Sequence, residues 1–77
     1  MNKARRKRID EIQEKLSEMK DLIDEVLSEE QEAYDNLPES IQDSERGEAM
    51  QTAIDSLESA VSSCEEIEDY LNEAQEQ

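Results

Sequence analysis

The sequence predicts an all-α fold in which two long helices form an antiparallel hairpin that self-associates into a coiled-coil-like helical bundle. Apolar residues recur at alternating intervals of three and four in both halves of the chain, a spacing typical of helices that pack along a seam. The only proline and the only glycine, Pro38 and Gly47, lie between those halves. A chain of 77 residues is expected to form one small domain, residues 1–77, and to gain stability by association.

The first predicted helix covers about residues 4–35. Its seam consists of Ile9, Ile12, Leu16, Met19, Ile23, Val26, Ala33 and Leu37. Glu30 is the one polar residue that interrupts this spacing. Because Pro38 cannot donate a backbone hydrogen bond and disfavours the helical conformation of the residue before it, the helix is expected to end near Asn36.

The hinge is predicted over about residues 36–43, with one helical turn from Pro38 to Gln42 that directs Ile41 toward the core. Asp43 or Ser44 is a suitable N-cap for the second helix, which covers about residues 44–75. The seam of this helix consists of Met50, Ala53, Leu57, Ala60, Cys64, Ile67, Leu71 and Ala74. We expect Cys64 to pack in this seam as a small apolar side chain.

Further apolar residues make both helices wider than a two-helix seam requires. These residues are Leu22 and Leu27 in the first helix and Ile54, Val61 and Tyr70 in the second. An apolar face of this width has to be covered, and the simplest solution is two hairpins that form a four-helix bundle. Dimers and higher assemblies both satisfy this requirement.

The composition excludes most kinds of chemistry. There are 23 acidic and 8 basic residues, a net charge of −15, with no histidine and one cysteine. Zinc sites of the Cys/His type, an internal disulfide and histidine-based acid–base catalysis are therefore excluded, and we expect neither an enzyme nor a bound cofactor or metal. Carboxylate pairs such as Glu14 and Glu18 are interpreted as solvated. No apolar stretch approaches the roughly 20 residues needed to cross a membrane, so we expect a cytoplasmic protein.

The hinge region concentrates polar groups of several kinds and is the predicted ligand-binding site. Its candidate residues are Tyr34, Asn36, Ser44, Arg46 and Gly47. Arg46 is the only positive charge after Lys20 and lies in the first turn of the second helix, where free backbone N–H groups favour an anion. The ring of Tyr34 offers a surface on which a base can stack. The alternative is that Arg46 pairs with Glu45 or Glu48.

Two other charged regions give further hypotheses. Five of the eight basic residues lie in the first eight positions, and we interpret them as balancing the acidic end of the second helix. Direct nucleic-acid binding is not expected, because no aromatic residues are interleaved with them. The rows of carboxylates favour a second functional hypothesis, in which the protein mimics DNA and occupies the basic groove of a host nucleic-acid-binding protein. A third hypothesis is a structural or assembly coiled coil without a ligand.

Residues 35–47, DNLPESIQDSERG, together with the opening MNKARRKRIDEI, resemble a group of small acidic proteins encoded by bacteriophages and prophages of Gram-positive bacteria. In that group the hinge carries the recognisable motif. The resemblance implies a non-catalytic protein of the host bacterial cytoplasm. It suggests an oligomeric antagonist of host defence, which sequesters a small anionic, nucleotide-like ligand or one host protein through its hinge.

Overall fold

The structure, a computed structural model, describes all 77 residues and contains three helices and no strand. Helix α1 spans Lys3–Asp35, α2 spans Glu39–Gln42 and α3 spans Glu45–Glu76. The predicted all-α class is confirmed. Each expected end of the two long helices lies within one residue of the observed end. None of the three helices combines the length and the apolar composition that crossing a membrane requires.

Both ends of α1 have local causes in the sequence. At the start, the side-chain oxygen of Asn2 accepts a hydrogen bond from the backbone N–H of Arg5 at 2.9 Å, so Asn2 caps the helix. At the other end, the N–H of Leu37 donates to the carbonyl of Tyr34 at 3.0 Å. The chain then reaches Pro38, which has no N–H with which to continue the ladder.

The segment between the long helices forms the short helix α2. The carbonyl of Pro38 accepts hydrogen bonds from the N–H groups of Ile41 and Gln42, at 2.8 and 3.0 Å. Ile41 is half-buried, as the sequence predicts. Ser44 occupies the N-cap position of α3, but its hydroxyl donates to the carbonyl of Ile41 instead of accepting from an N–H of α3. The hydroxyl therefore ties the start of α3 to α2.

Gly47 allows α3 to lie directly against α2. The residue is buried, and a Cβ atom at this position would overlap with the backbone carbonyl and Cα of Gln42. Its φ angle is not positive, so the requirement is for space and not for an unusual backbone conformation. The only glycine of the chain thus stands where two backbones come closest.

Helices α1 and α3 lie side by side and run in opposite directions. The amino group of Met1 donates to the carbonyl of Gln77 at 2.7 Å. The Lys20 ammonium lies 3.1 Å from the Glu65 carboxylate. Contacts that begin at the start of α1 therefore meet the end of α3, and the chain forms a rod with extents of 58 × 16 × 12 Å.

The core is a single line of contacts between α1 and α3, and it differs from the predicted seam. Its most buried side chains are Leu16, Ile54 and Cys64, at 8, 4 and 4% exposure. Cys64 packs in the core as expected. Ile54, which the heptad spacing places beside the predicted seam, is at the centre of the contact.

Half of the predicted α1 seam was wrong for a single chain. Ile12, Met19, Val26 and Ala33 are exposed. By contrast, the residues that follow the first three, Gln13, Lys20 and Leu27, are half-buried against α3. The physical reason is the width of the apolar face of α1. One neighbouring helix covers only part of that face, and α3 lies over the part that includes Leu27.

Candidate functional site

The predicted hinge residues Tyr34, Asn36 and Ser44 lie close together along the chain but serve different local contacts. Tyr34 is half-buried, and its backbone carbonyl accepts a hydrogen bond from the side chain of Gln42 at 3.1 Å. Asn36 is exposed and is the C-cap of α1. The Ser44 hydroxyl is bonded to Ile41. Tyr34 and Ser44 therefore have a clear role in joining the helices.

Arg46 and Gly47 differ sharply in their surroundings. Gly47 is buried against Gln42, so its backbone faces α2. Arg46 is exposed and has no carboxylate within 4.0 Å. The alternative in which Arg46 pairs with Glu45 or Glu48 is therefore not found in the structure. An unpaired guanidinium in a chain of net charge −15 can accept an anionic group from outside the chain.

The hinge residues do not converge on one cavity in a single chain. Tyr34 lines a shallow groove between α1 and α3, whose other lining residues are Gln31, Asp35, Gln51, Ile54 and Glu58. Arg46 and Ser44 are not among these residues. Two carboxylates in the groove repel an anion, so this groove does not suit the anionic ligand that the sequence suggested.

One side of the helix pair is closed by polar contacts that cross from α1 to α3. We call this side the closed face, and its residues are Asp10, Gln13, Lys20, Glu65, Asn72 and Gln75. Gln13 donates to Asn72 at 2.7 Å, and Gln75 donates to Asp10 and to Gln13 at 2.9 and 3.0 Å. The Lys20–Glu65 pair is the only ion pair in the structure.

The ion pair affects the pKa of Lys20. The hydrogen bond to Glu65 raises the pKa of Lys20 above its usual value of 10.5, burial acts in the opposite direction, and the charges of Glu65, Asp24 and Glu68 raise it further. Lys20 therefore stays charged throughout the neutral range. Its long side chain is 29% exposed, so it covers part of the core as well.

The other side of α1 exposes a row of apolar residues. Lys20 follows the contact residue Leu16 by four positions, and Met19 follows it by three. At 3.6 residues per turn, these two steps rotate in opposite directions away from Leu16. Met19 therefore lies on the side of the contact line that is opposite to the closed face.

The same argument places the exposed apolar residues of α3 on this side. Glu65 follows the buried residue Cys64 by one position and Ile67 follows it by three, so the two diverge in opposite directions. Because Glu65 contacts Lys20, the closed sides of both helices coincide. Their other sides coincide too, and Ile67 shares a face with Met19.

We call this second side the open face. Its residues are Ile12, Met19, Leu22, Val26, Ala53, Ala60, Ile67 and Tyr70. The larger side chains are well exposed, for example Ile12 at 50%, Leu22 at 61% and Tyr70 at 69%. No hydrogen bond or ion pair between side chains of α1 and α3 crosses this face. Neighbouring exposed apolar residues of this kind mark an interaction surface.

The charge pattern separates the open face from the rest of α3. Helix α3 carries ten carboxylates, yet none lies on the row that follows alternating steps of four and three along the open face. We call this row the α3 stripe, and its residues are Ala49, Ala53, Ser56, Ala60, Ser63, Ile67, Tyr70 and Ala74. The heptad spacing predicts a core position for part of this row, including Ile67, which is exposed. The signal that identifies it is the unbroken absence of charge in an otherwise acidic helix.

The remaining charged groups form no further site. Histidine, cysteine and carboxylate side chains do not gather into a group of three or more that could hold a metal ion. The basic segment at the start of α1 lies near the end of α3, as the bond between Met1 and Gln77 requires. None of its five basic residues pairs with a carboxylate. Comparison of the chain with protein-family models, curated proteins and solved structures finds no match.

Proposed function

We propose that the protein is a non-catalytic binding protein, built as an antiparallel helical hairpin that self-associates through its open face. The observation that carries this proposal is the asymmetry of the helix pair. Polar contacts close one side, while the other side exposes Ile12, Leu22 and Tyr70 and has no charged residue along the α3 stripe. A hairpin that acted alone would have no need for a wide apolar face with an uncharged α3 stripe in an acidic chain.

The energetic argument sets apolar burial against charge repulsion. Two copies of net charge −15 repel each other, and salt weakens that repulsion. Full burial of each large apolar side chain contributes about 1.5–3 kcal/mol. The open face holds six such side chains, and Glu29 is the one carboxylate on the rows that line this side, so association there keeps nearly all of the acidic groups on the outside of the assembly.

Sedimentation equilibrium tests the proposal with two variants that change the charge equally. Met19→Glu places a carboxylate on the open face, and Ser17→Glu places one on an exposed position of the same helix away from it. We expect Met19→Glu to raise the dissociation constant at least tenfold, equivalent to about 1.4 kcal/mol. Ser17→Glu should stay near the wild type, and circular dichroism should show unchanged helicity in both.

Equal weakening by both variants would contradict the proposal, because it would mean that charge alone limits association. A wild-type chain that stays monomeric at all concentrations would contradict it as well. The test does not depend on any ligand.

A second candidate function is capture of an anionic, nucleotide-like ligand through the hinge, which would fit use as an antagonist of host defence. The observation that favours it is the exposed Arg46 guanidinium, which has no ion-pair partner in the chain. Because the groove beside Tyr34 is acidic, the remainder of such a site would have to come from a second copy or from the host target.

Native mass spectrometry of protein purified from infected or lysogenic cells tests this candidate. We expect the intact assembly to exceed the summed mass of its denatured chains by the mass of a nucleotide-like ligand. Arg46→Glu should remove the excess, while Arg6→Glu, an equal charge change at another exposed arginine, should keep it. An assembly without excess mass, or an excess that persists in Arg46→Glu, would contradict anion capture by the hinge.

A further inference from the structure

We infer that the open face binds a second copy of this chain head to tail, so that the two hinges lie at opposite ends of a four-helix bundle. This inference rests on the proposed self-association and adds the orientation of the partner. Two open faces that meet in this way bring α1 against α1 and α3 against α3. Each helix pair is then antiparallel and related by a two-fold axis.

The row of residues along the open side of α1 is complementary to the same row running in the opposite direction. We call its row of residues the α1 stripe, which consists of Arg5, Arg8, Ile12, Lys15, Met19, Leu22, Val26, Glu29 and Ala33. The steps along this row alternate between three and four from end to end, so all nine residues share one side of the helix. Met19 is its middle residue and also the midpoint of α1, which spans Lys3–Asp35.

Reversal of the α1 stripe about Met19 gives suitable partners to all its residues except the outermost two, Arg5 and Ala33. Arg8 meets Glu29 of the second copy, which joins opposite charges. Ile12 meets Val26, which joins two apolar side chains. Lys15 has a long apolar stem that can lie along Leu22 while its ammonium reaches water.

The α3 stripe meets its copy across the same two-fold axis. Lys20 contacts Glu65 and Gln13 contacts Asn72, so Met19 is level with about residue 66 of α3, and the axis passes close to Ile67. Reversal about this point places Ile67 near its own copy and Tyr70 against Ser63 of the second copy. A large side chain thus lies over a small one beside the central apolar contact, which lets the two helices pack closely.

The overall charge distribution favours the same orientation. Residues 1–9 carry five basic side chains and no acidic one, whereas residues 29–48 carry eight carboxylates and one arginine. Because Met1 lies beside Gln77, residues 1–9 lie at the end of the rod opposite the hinge, together with residues 67–77, which carry four carboxylates. The five basic side chains offset these carboxylates, so this end is close to neutral while the hinge end is strongly acidic. Head-to-tail packing sets the near-neutral end of each copy beside the acidic hinge end of the other, whereas packing with both hinges at one end would bring two acidic regions together.

Pulsed EPR distance measurements test the orientation directly. The exposed hinge residue Asp43 is replaced by cysteine in a Cys64→Ala background, and a spin label is attached. Head-to-tail packing predicts a distance of about 50 Å between the two labels, because a helix of more than 30 residues rises 1.5 Å per residue. Packing with both hinges at one end predicts less than about 30 Å, since helix diameters are 10–12 Å.

Disulfide formation supplies a second, independent measurement in the same background. Met19→Cys places a thiol on the proposed two-fold axis, within reach of its copy in the second chain. Ser17→Cys is the matched control on the same helix, away from the open face. We expect rapid covalent dimers from Met19→Cys and at most slow ones from Ser17→Cys.

The outcomes separate the inference from the proposal on which it rests. A long EPR distance together with selective cross-linking of Met19→Cys supports head-to-tail packing. A dimer with a short distance between the labels, or without the Met19→Cys cross-link, overturns the orientation but leaves self-association intact. If the labelled chain stays monomeric, and sedimentation shows that the wild-type chain does too, both the orientation and the self-association are overturned.

Discussion

The two faces of the helix pair differ in the side chains that they carry, although both are formed by the same two helices. The closed face carries polar side chains that bond across the two helices, such as Gln13 with Asn72 at 2.7 Å and Lys20 with Glu65 at 3.1 Å. The open face carries exposed apolar residues, and no polar side-chain contact crosses it. The contact between α1 and α3 therefore uses only part of the apolar surface that the sequence encodes.

The largest expected change in stability comes from truncation of an isoleucine in the core, compared with truncation of an isoleucine on the open face. Ile54 is 4% exposed in the core, and Ile67 is 44% exposed on the open face. Ile54→Ala should lower the free energy of unfolding by about 2–5 kcal/mol, because it leaves a cavity in a very small core. Ile67→Ala should instead raise the dissociation constant of the assembly and make the unfolding midpoint more dependent on protein concentration.

Urea denaturation at two protein concentrations measures both effects. If Ile67→Ala destabilises the protein as much as Ile54→Ala does at high dilution, the two faces are not distinct and the comparison fails.

Substitution of Gly47 by alanine is a test in which helix propensity and steric overlap change the stability in opposite directions. In an exposed helix, replacement of glycine by alanine stabilises by about 1 kcal/mol. Here the added Cβ would overlap with the backbone of Gln42, so we expect Gly47→Ala to destabilise by about 1–3 kcal/mol, as overpacking does. Ser62→Gly, at an exposed position of the same helix that lies off the α3 stripe, should cost about 0.5 kcal/mol from propensity alone.

Thermal unfolding by circular dichroism gives the sign of both changes. A higher melting temperature for Gly47→Ala would show that α2 is not held against α3 in solution. In that case the Gly47→Ala variant would have no folding defect, and its effect on ligand binding could be measured directly.

A charge exchange sharpens the description of the open face. Arg8→Glu and Glu29→Arg should each weaken self-association by about two- to fivefold, since exposed ion pairs contribute little. The double variant should restore the wild-type dissociation constant, because the two charges have only changed places. Sedimentation equilibrium provides the three constants. Additive weakening in the double variant would mean that Arg8 and Glu29 do not meet across the interface.

The smallest expected effect belongs to the ion pair of the closed face. Because the pKa of Lys20 is raised in the folded chain, its contribution to stability is fully present below its ordinary value of 10.5 and is lost as the pH rises through the raised value. Lys20→Met keeps the apolar stem, so we expect a slight decrease in melting temperature at pH 7 and no difference from the wild type at strongly alkaline pH. A difference that persists there would assign the effect to packing.

The spacing of apolar residues was sufficient to predict the helices and their approximate ends. Pro38 and Ser44 mark the hinge through backbone chemistry that acts locally, and such effects can be read from a sequence. The choice of contact line could not be predicted in this way. The apolar face of α1 is wide enough for two neighbours, so periodicity alone does not decide whether Met19 or Lys20 lies against α3.

The candidate site illustrates the same limit. Proximity along the chain suggested that Tyr34, Ser44 and Arg46 act together, but the hinge directs them to different surroundings. Their directions depend on how α2 packs against α3, which in turn depends on the close approach at Gly47. The uncharged α3 stripe was available in the sequence. It can be recognised as part of an interaction surface only from its position on the open face of the structure.

The most direct test of the account is an NMR dilution series on the isotope-labelled wild-type chain. As the assembly dissociates, we predict chemical-shift changes that are concentrated at the open face, including the side chains of Met19, Ile67 and Tyr70. The closed-face amide groups of Asn72 and Gln13 should keep their shifts, because the contact between α1 and α3 persists in the monomer. Changes centred on the closed face, or a spectrum independent of concentration, would contradict the claim that the open face binds a second copy.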